Sequence, residues 1–270
     1  MDYKAFLQKF NEKCGYDFSD YSSNSISRRL QKICDETGMT FEQILKQVVA
    51  DRNFVRRIVE DITVNTTELF RDPAIWISLG NTLYKQLPKQ TSMCTFWHIG
   101  CSSGLEAYSN IIMLNELGLG SRSRVIGTDI NPTMLDVARR GEYVYSFNRA
   151  YIDNFNAVMR GLGLSTKFDK YFEIDTEADL IKVRPEIKAQ ARFLQQDLVK
   201  DQAPFAYKVD VAFIRNVMIY FNDDLQKRIV EAIVERMHPG AMLVMGKQET
   251  LPQSVEALFT LQGSFYKKKR

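Results

Sequence analysis

From about residue 90 onward, short apolar runs alternate with segments of helical periodicity. The segments that predict strands are 94–99, 124–129, 192–196, 209–214 and 241–246, and the apolar run at 209–214 predicts a buried strand. The helical segments that follow or separate them are 104–117, 132–139 and 225–237. Alternation of this kind is typical of a mostly parallel sheet with helices on both faces. We therefore predict an α/β fold here, with a turn at 238–240 before the strand at 241–246.

The first 70 residues or so show helical patterns only and predict an all-helical region. Thr40 and Gln43 have the spacing of a capping box at a helix start. On the preceding helix, apolar residues occupy one face and basic residues the opposite face. The basic residues are Arg28, Arg29 and Lys32. Such a face is either solvated surface or a binding site for a partner.

Composition limits the possible functions. The formal net charge of +3 on 270 residues predicts no general preference for nucleic acid or membranes. No apolar run approaches the ~20 residues of a membrane span, and the N-terminus lacks the pattern of a signal peptide. Four cysteines without C-x-x-C spacing and only two histidines predict no metal site. We expect a cytoplasmic protein with free thiols.

Polar residues follow the predicted strands at the carboxyl end of the sheet, where open α/β folds bind their ligands. Arg215, Asn216 and Tyr220 come after the strand at 209–214. A turn containing Gly100 and Gly104 comes after the strand at 94–99. This turn is either a tight structural turn or a place where a ligand approaches the backbone closely. The helix that follows offers free N–H groups to an anionic ligand group.

Asp129 ends the strand at 124–129. An acid at this point either accepts hydrogen bonds from ribose hydroxyls or caps the next helix, and the upstream glycine turn favours ribose. Glu106 and Asp197 either reach the same cleft or are exposed carboxylates. These features suit any adenosine-type cofactor, so they do not separate NAD from S-adenosylmethionine.

Residues 65–72 lie where the helical and α/β regions meet. Polar residues at such a junction line a cleft or belong to a capped linker helix, with Asn65 or Thr67 as the cap. The residues alone leave both interpretations open.

Taken together, these segments resemble the CheR family of bacterial chemotaxis receptor methyltransferases. Residues 101–109 are similar to that family's C-S-T-G-E-E-P-Y-S segment, and 215–221 match its R-N-V-x-I-Y-F segment. Further similar segments are 67–71 at the domain junction, 129–131 with 138–143, and 239–250 near the last predicted strands. The resemblance covers about residues 20 to 250.

The resemblance implies a Rossmann-like S-adenosylmethionine-dependent methyltransferase domain with a mostly parallel sheet at 73–270. A small all-helical domain, including the linker, would occupy 1–72. A small antiparallel β-subdomain would be inserted at about 165–190, where 171–174 and 180–183 have the pattern of a hairpin. The cofactor contacts implied are Asn65, Thr67, Arg71, Glu106, Asp129, Asp197, Leu198, Ile214 and Arg215. Tyr220 would face the methyl-transfer site, with Arg71 and Arg215 positioning carboxylates.

The reaction implied is methyl transfer to glutamate side chains of chemotaxis receptors in sensory adaptation, which gives methyl esters and S-adenosylhomocysteine. The partner would be the acidic cytoplasmic helical domain of a receptor. The basic face of Arg28, Arg29 and Lys32 would attract this domain and raise the association rate. We expect a monomer that neither binds nucleic acid nor inserts into a membrane.

Some residues depart from the family pattern. Leu105 and Ala107 stand where a glutamate and a proline are usual, and Lys247 with Gln248 replaces a usual His-Ser. A non-catalytic module that binds S-adenosylmethionine or S-adenosylhomocysteine remains an alternative, as does a carboxyl methyltransferase for a protein outside chemotaxis. An NAD-dependent oxidoreductase would need the G-x-G-x-x-G fingerprint, which the glycine turn lacks. The short loop between 172 and 181 argues against tethering of a receptor C-terminal pentapeptide.

Overall fold

The computed structural model of the protein describes residues 2–87, 93–200 and 202–269. The helices in these ranges are α1 (Tyr3–Cys14), α2 (Ser23–Thr37), α3 (Phe41–Ala50), α4 (Arg52–Ile62), α5 (Pro73–Asn81), α6 (Leu83–Gln86), α7 (Leu105–Glu116), α8 (Pro132–Arg140), α9 (Ala150–Gly161), α10 (Pro185–Lys188) and α11 (Asp223–Arg236). The strands are β1 (Cys94–Ile99), β2 (Ser123–Asp129), β3 (Glu142–Val144), β4 (Phe172–Asp175), β5 (Leu180–Val183), β6 (Ala191–Gln195), β7 (Val209–Ile214), β8 (Met237–Met245), β9 (Phe259–Gln262) and β10 (Phe265–Lys268).

The predicted all-helical region is confirmed by α1 to α4, which pack around a shared apolar core. The capping box at the start of α3 is present. The Thr40 hydroxyl accepts from the Gln43 backbone N–H at 3.4 Å, and the Gln43 side chain accepts from the Thr40 backbone N–H at 2.8 Å. These two bonds satisfy donors that the first turn of a helix otherwise leaves free.

The predicted α/β fold is confirmed by a seven-stranded sheet with the order β6-β2-β1-β7-β8-β10-β9. The five strands from β6 to β8 are parallel, and β10 and β9 close the sheet as an antiparallel pair. One apolar core, with Trp76 and Tyr108, lies under α5, α7, α8 and α9. The other, with Ile229 and Leu243, lies under α11 on the opposite face. The carboxyl ends of β6, β2, β1 and β7 therefore meet at one edge, above which a ligand can bind.

A separate antiparallel sheet with the order β3-β5-β4 confirms the small β-subdomain and its predicted hairpin. Its third strand, β3, comes from the segment just after α8 and pairs Tyr143 with Ile181. Sequence reasoning did not assign a strand there, because three residues are too few to show a period of two. The domain division between 72 and 73 stays a prediction, as does the insertion at about 165–190.

The turn predicted at 238–240 is wrong. The structure continues β8 through these residues with a break in register: Val209 pairs with Met237, and Val211 then pairs with Met242. A two-residue step on β7 thus matches a five-residue step on β8. The extra residues leave the ladder as a bulge around Gly240, whose φ of 80° is a left-handed conformation that glycine adopts without strain.

Candidate active site

A cavity that is partly open to solvent lies between the helical domain and the carboxyl edge of the large sheet. Residues after β1, β2, β6 and β7 form its floor, and α2 with the segment after α4 forms its other wall. Most of the residues that the sequence singled out as candidates line this one cavity.

The glycine turn after β1 is fixed by close packing. Gly100 has a φ of 66°, and a Cβ there would lie 2.4 Å from Cγ2 of Val217. Gly104 has a φ of 83°, and a Cβ there would lie 2.8 Å from the Cβ of Ala138. Both positions therefore exclude other residues for steric reasons. The turn brings α7 and the segment after β7 close together at the cavity floor.

Asp129 lies at the end of β2 and lines the cavity. One carboxylate oxygen accepts from the Ser102 backbone N–H at 2.7 Å, and the other accepts from the Asn131 backbone N–H at 2.9 Å. Burial raises the pKa of Asp129, and these backbone donors offset only part of the rise. The helix-cap alternative is wrong, because Asn131 caps α8 through its own side chain, which accepts from the Thr133 N–H at 2.9 Å.

Arg215 follows β7, and its side chain is 1% exposed. Nη1 donates to Oε2 of Glu106 at 3.1 Å, while Nη2 donates to Oδ2 of Asp72 at 2.8 Å and to the Arg71 carbonyl at 3.0 Å. Burial raises the pKa of Glu106, but the hydrogen bond with His98 and the charge of Arg215 outweigh it, so this pKa lies below its ordinary value. The pairing joins β7, α7 and the domain junction in one ionic cluster.

The junction segment after α4 is an extended loop, so the linker-helix alternative is wrong. Asn65 ties three elements together. Its Nδ2 donates to the Glu60 carbonyl at 3.0 Å, its Oδ1 accepts from Asn131 Nδ2 at 3.3 Å, and its carbonyl accepts from the Ser102 hydroxyl at 3.0 Å. Thr67 lines the cavity close by. The loop is thus held against both β1 and β2 by side chains.

Arg71 also lines the cavity and makes no ion pair with any carboxylate in the described ranges. Its Nη1 donates to the Thr66 carbonyl at 3.4 Å.

After β6, Asp197 and Leu198 also line the cavity. The Asp197 carboxylate accepts from the Val199 backbone N–H at 2.9 Å. Ile214 does not line the cavity, since its side chain is 0% exposed in the core under α11.

Tyr220 lies at the wall of the cavity in the short turn that follows β7. The guanidinium carbon of Arg29 lies 5.7 Å from the centre of the Tyr220 ring. Burial raises the pKa of Tyr220, and the charges of Arg29 and Arg71 oppose that rise. A phenol and two cations from three different segments therefore share one end of the cavity.

The predicted basic face of α2 is divided in the structure. Arg28 and Lys32 are exposed, and Lys32 Nζ lies 3.4 Å from Oε1 of Glu36. Arg29 instead lines the cavity and donates from Nη1 to the Thr63 carbonyl at 3.4 Å. The prediction that the three residues share one outward face is wrong for Arg29, because the loop after α4 and Tyr220 cover that side of α2.

Sequence reasoning missed Glu249, which is 8% exposed. Its carboxylate accepts from four backbone N–H groups: Asn216 at 2.6 Å and Val217, Met218 and Gly246 at 2.9 Å. Gly246 is required beside it, since a Cβ there would lie 2.4 Å from Oε2 of Glu249. Glu249 therefore fixes the path of the loop that carries Arg215 and Tyr220.

Tyr21 was also missed. It precedes α2, lines the cavity and forms an isolated antiparallel bridge with Phe221. The two rings meet edge to face at 5.0 Å, and the Ser22 backbone N–H donates to the Tyr220 carbonyl at 2.8 Å. The helical domain thus holds the segment next to Tyr220 in place. No local pattern around Tyr21 signals this contact, since its partners lie about 200 residues away in the chain.

A mostly parallel sheet with a glycine turn after one central strand and an acid after its neighbour is the architecture of Rossmann-like domains that bind an adenosine-type cofactor, S-adenosylmethionine-dependent methyltransferases among them. The comparisons agree. The chain belongs to the CheR methyltransferase family: the model of its SAM-binding domain matches residues 65–266, and that of its all-alpha domain matches residues 1–63. It is therefore a methyltransferase whose cofactor is S-adenosylmethionine.

Two relatives match almost end to end. Chemotaxis protein methyltransferase 1 of Vibrio cholerae serotype O1 is 28% identical over 259 residues, covering 93% of this chain and 90% of that protein. The chemotaxis protein methyltransferase of Listeria innocua serovar 6a is 27% identical over 269 residues, covering 98% of this chain and 96% of that protein. A solved TehB-like SAM-dependent methyltransferase from Corynebacterium glutamicum is 14% identical, with a TM-score of 0.39 over 73% of this chain and 95% of that one.

The groups around the cavity fit this cofactor. Arg71 offers a cation without an acidic partner in the described ranges, which suits a carboxylate. The Asp129 oxygens keep unused lone pairs for ribose hydroxyls. Gln196 also lines the cavity, and its buried Oε1 has no hydrogen-bond partner in the described part of the chain, which suits an amino donor.

Among residues 2–87, 93–200 and 202–269, no helix is long and apolar enough to span a membrane.

Proposed function

We propose that the protein transfers a methyl group from S-adenosylmethionine to glutamate side chains of chemotaxis receptors and so serves sensory adaptation. The observation that carries this proposal is the group formed by Tyr220, Arg29 and Arg71 at one end of the cofactor cavity. Two cations beside a phenol suit an anionic carboxylate acceptor. The relatives named chemotaxis protein methyltransferases support a chemotactic acceptor.

Apart from Ile214, the residues proposed to hold the cofactor line the cavity. Arg71 and Glu106 lie toward Arg215 and suit the carboxylate and ammonium groups of the amino acid portion. Asp129 suits the ribose, and Asp197 with Leu198 suits the adenine. Thr67 also lines the cavity, while Asn65 and Ile214, whose side chains are otherwise engaged, would contribute through their main chains.

When bound, S-adenosylmethionine supplies a methyl group on a cationic sulfur, whose transfer to a carboxylate oxygen gives a methyl ester and neutral S-adenosylhomocysteine. A glutamate carboxylate with a pKa of about 4.3 is already ionised at neutral pH. The acceptor therefore loses no proton, and the protein needs no general base. Its task is to place the acceptor in line, which contributes up to roughly 7–11 kcal/mol.

Arg29, Arg71 and Tyr220 contribute to this placement in different ways. Arg29 and Arg71 attract the acceptor carboxylate by their charge, Arg71 while it also binds the carboxylate of the cofactor. Tyr220 orients the acceptor by donating a hydrogen bond. Very tight binding of the anion would slow transfer, because the charge on the acceptor falls in the transition state. Weaker attraction of the acceptor is thus favourable. Arg71 donates to the Thr66 carbonyl and Arg29 donates to the Thr63 carbonyl. Each guanidinium therefore has only some of its N–H groups left to bind the acceptor.

The test is methyl transfer in vitro. The protein is incubated with methyl-labelled S-adenosylmethionine and receptor-containing membranes, and base-labile methyl ester is counted. We expect label on the receptor that is released by base. Tyr220→Phe and Arg71→Ala should each lower turnover by about 10-fold or more, the effect of losing one hydrogen bond to a charged group. Tyr207→Phe, which alters a tyrosine 39% exposed, is the matched control and should retain activity.

Each other outcome has a defined meaning. Cofactor binding without transfer to any acceptor would favour a non-catalytic module. Base-labile ester on another protein, with receptors unlabelled, would favour a carboxyl methyltransferase outside chemotaxis. If Tyr220→Phe and Arg71→Ala both kept wild-type transfer and cofactor affinity, the assignment of these residues would be wrong.

A further inference from the structure

His98 is a buried polar residue in the centre of the large sheet, on β1, and its side chain is 0% exposed. The ring stacks on Phe213 of β7 at 4.3 Å. Its Nδ1 lies 2.8 Å from Oε1 of Glu106, and its Nε2 lies 2.9 Å from Nδ2 of Asn110. Both ring nitrogens therefore have partners, and both partners belong to α7.

The network fixes which ring nitrogen carries the proton. The Tyr84 hydroxyl donates to Oδ1 of Asn110 at 2.5 Å, so the Asn110 Nδ2 group faces His98 and donates to it. Nε2 is then an acceptor and has no hydrogen. The single ring proton of the neutral form lies on Nδ1, which donates to Glu106. Asn110 is 0% exposed and Tyr84 is 1% exposed, so the order of donors is set by the protein rather than by solvent.

This hydrogen bond completes the constraint on Glu106. One carboxylate oxygen accepts from His98 and the other accepts from Arg215 at 3.1 Å, so the carboxylate cannot rotate without breaking a bond. The Glu106 side chain is 15% exposed and lines the cavity. Lone pairs of a carboxylate held in this way point in fixed directions into the site.

We infer that His98 is a positioning residue, which holds the Glu106 carboxylate in the orientation that receives the ammonium group of the cofactor. The inference rests on the role proposed for Glu106 in cofactor binding. It adds that Asn110 and Tyr84, which do not line the cavity, set the tautomer of His98 and so act together with it on Glu106. A histidine that merely filled space in the core would need neither a fixed tautomer nor a donor aimed at Glu106.

The tautomer can be observed directly in the full chain. The protein has only two histidines, His98 and His238, so long-range ¹H–¹⁵N correlation spectra of the imidazoles can be assigned with one His238→Gln variant. We expect His98 to be neutral with its proton on Nδ1. A neutral His98 protonated on Nε2, or one protonated on both nitrogens at pH 7, would overturn the inference.

A pair of substitutions separates positioning from packing. In His98→Asn the amide nitrogen lies near the place of Nδ1 and can donate to Glu106. In His98→Gln the amide lies near the place of Nε2, so the contact with Asn110 is kept and the donor to Glu106 is lost. Both variants lose the stacked ring equally, and their melting temperatures report any shared loss of packing.

The readout is calorimetric affinity for S-adenosylhomocysteine. We expect His98→Gln to bind about 10-fold more weakly than the wild type and His98→Asn to stay within about 3-fold, as one hydrogen bond to a charged group predicts. Equal affinities in the two variants would overturn the inference, as would weaker binding by His98→Asn. Glu106→Gln identifies the source of a failure. If it binds normally, the proposed role of Glu106 is wrong; if it binds weakly while the His98 pair is equal, only the inference about His98 is wrong.

Discussion

Glu249 shows how one buried carboxylate can determine the shape of a site without lining the cavity itself. Four backbone N–H groups converge on it, three of them from the loop after β7. Charge-assisted hydrogen bonds of this kind are roughly twice as strong as neutral ones. The loop has Arg215 before it and Tyr220 after it, so its path decides where both side chains lie. Asn216 is held at a φ of 60°, a strained conformation that the converging bonds stabilise.

We predict that Glu249→Gln lowers the melting temperature and methyl transfer together. An amide replaces one acceptor oxygen by a donor, so two backbone N–H groups lose their acceptor, at about 1–3 kcal/mol each. Thermal unfolding and turnover are the measurements. Glu256→Gln is the control, because Glu256 is exposed and should change little. A Glu249→Gln protein as stable as the control would contradict this role.

Among single residues, the sequence predicted the positions of groups that come at the end of a strand or directly after it. Asp129 and Arg215 are examples, since the end of a parallel strand predicts a position at the carboxyl edge. It missed Glu249, His98 and Tyr21, whose roles depend on partners remote in sequence or on a buried network. Glu249, for example, accepts from a residue 33 positions away. A lone acid after an apolar strand has the same local pattern whether it is exposed or bonded to four N–H groups.

Among the helices, α2 contributes basic residues both to the exposed surface of the protein and to the cavity. One side presents the exposed residues Arg28 and Lys32, and the next presents Arg29 to the cavity. Periodicity predicted the buried apolar face of α2 correctly, because Ile26, Leu30 and Ile33 are buried. It could not divide the remaining residues between solvent and cavity, because that depends on how the helical domain packs against the segment that carries Tyr220.

This division leads to a prediction that separates the three basic residues. Arg28→Glu and Lys32→Glu should raise the KM for receptor by up to about 10-fold at low salt, since rim charges act mainly on association. Arg29→Glu should instead lower kcat at saturating receptor, because it puts a negative charge beside the acceptor carboxylate. Steady-state kinetics at two salt concentrations measure both effects. An Arg29→Glu enzyme that only raised the KM for receptor would show that Arg29 acts with the outer pair.

The strands show the same limits of sequence information. The bounds of β1 and β7 agree with the prediction because each is a mostly apolar segment of six residues, buried along its length apart from Asp210 of β7. The bulge in β8 was missed because His238-Pro239-Gly240 has the composition of a turn. Only the paired strand β7 shows that the chain continues in the same direction through these residues.

For the whole molecule, the main consequence of the fold is that neither domain forms the cavity alone. The α/β domain supplies Asp129, Asp197 and Arg215, whereas the helical domain supplies Tyr21 and Arg29. Further contacts hold the domains together, including donation from the Asn222 backbone N–H to the Asp20 carbonyl at 3.0 Å. The two-domain architecture follows from the sequence pattern. The cavity between the domains does not, because contacts across it join residues about 200 positions apart.

We propose that this interdomain cavity binds the cofactor with Asp129 at the ribose. Calorimetric titration with S-adenosylhomocysteine tests this binding, with Asp129→Asn compared with Asp136→Asn, which changes an exposed acid on α8. We predict one site per chain in the wild type and in Asp136→Asn. Asp129→Asn should bind about 10- to 100-fold more weakly, the effect of losing hydrogen bonds to a charged group. Absence of binding by the wild type, or equal affinity in the two variants, would contradict the claim.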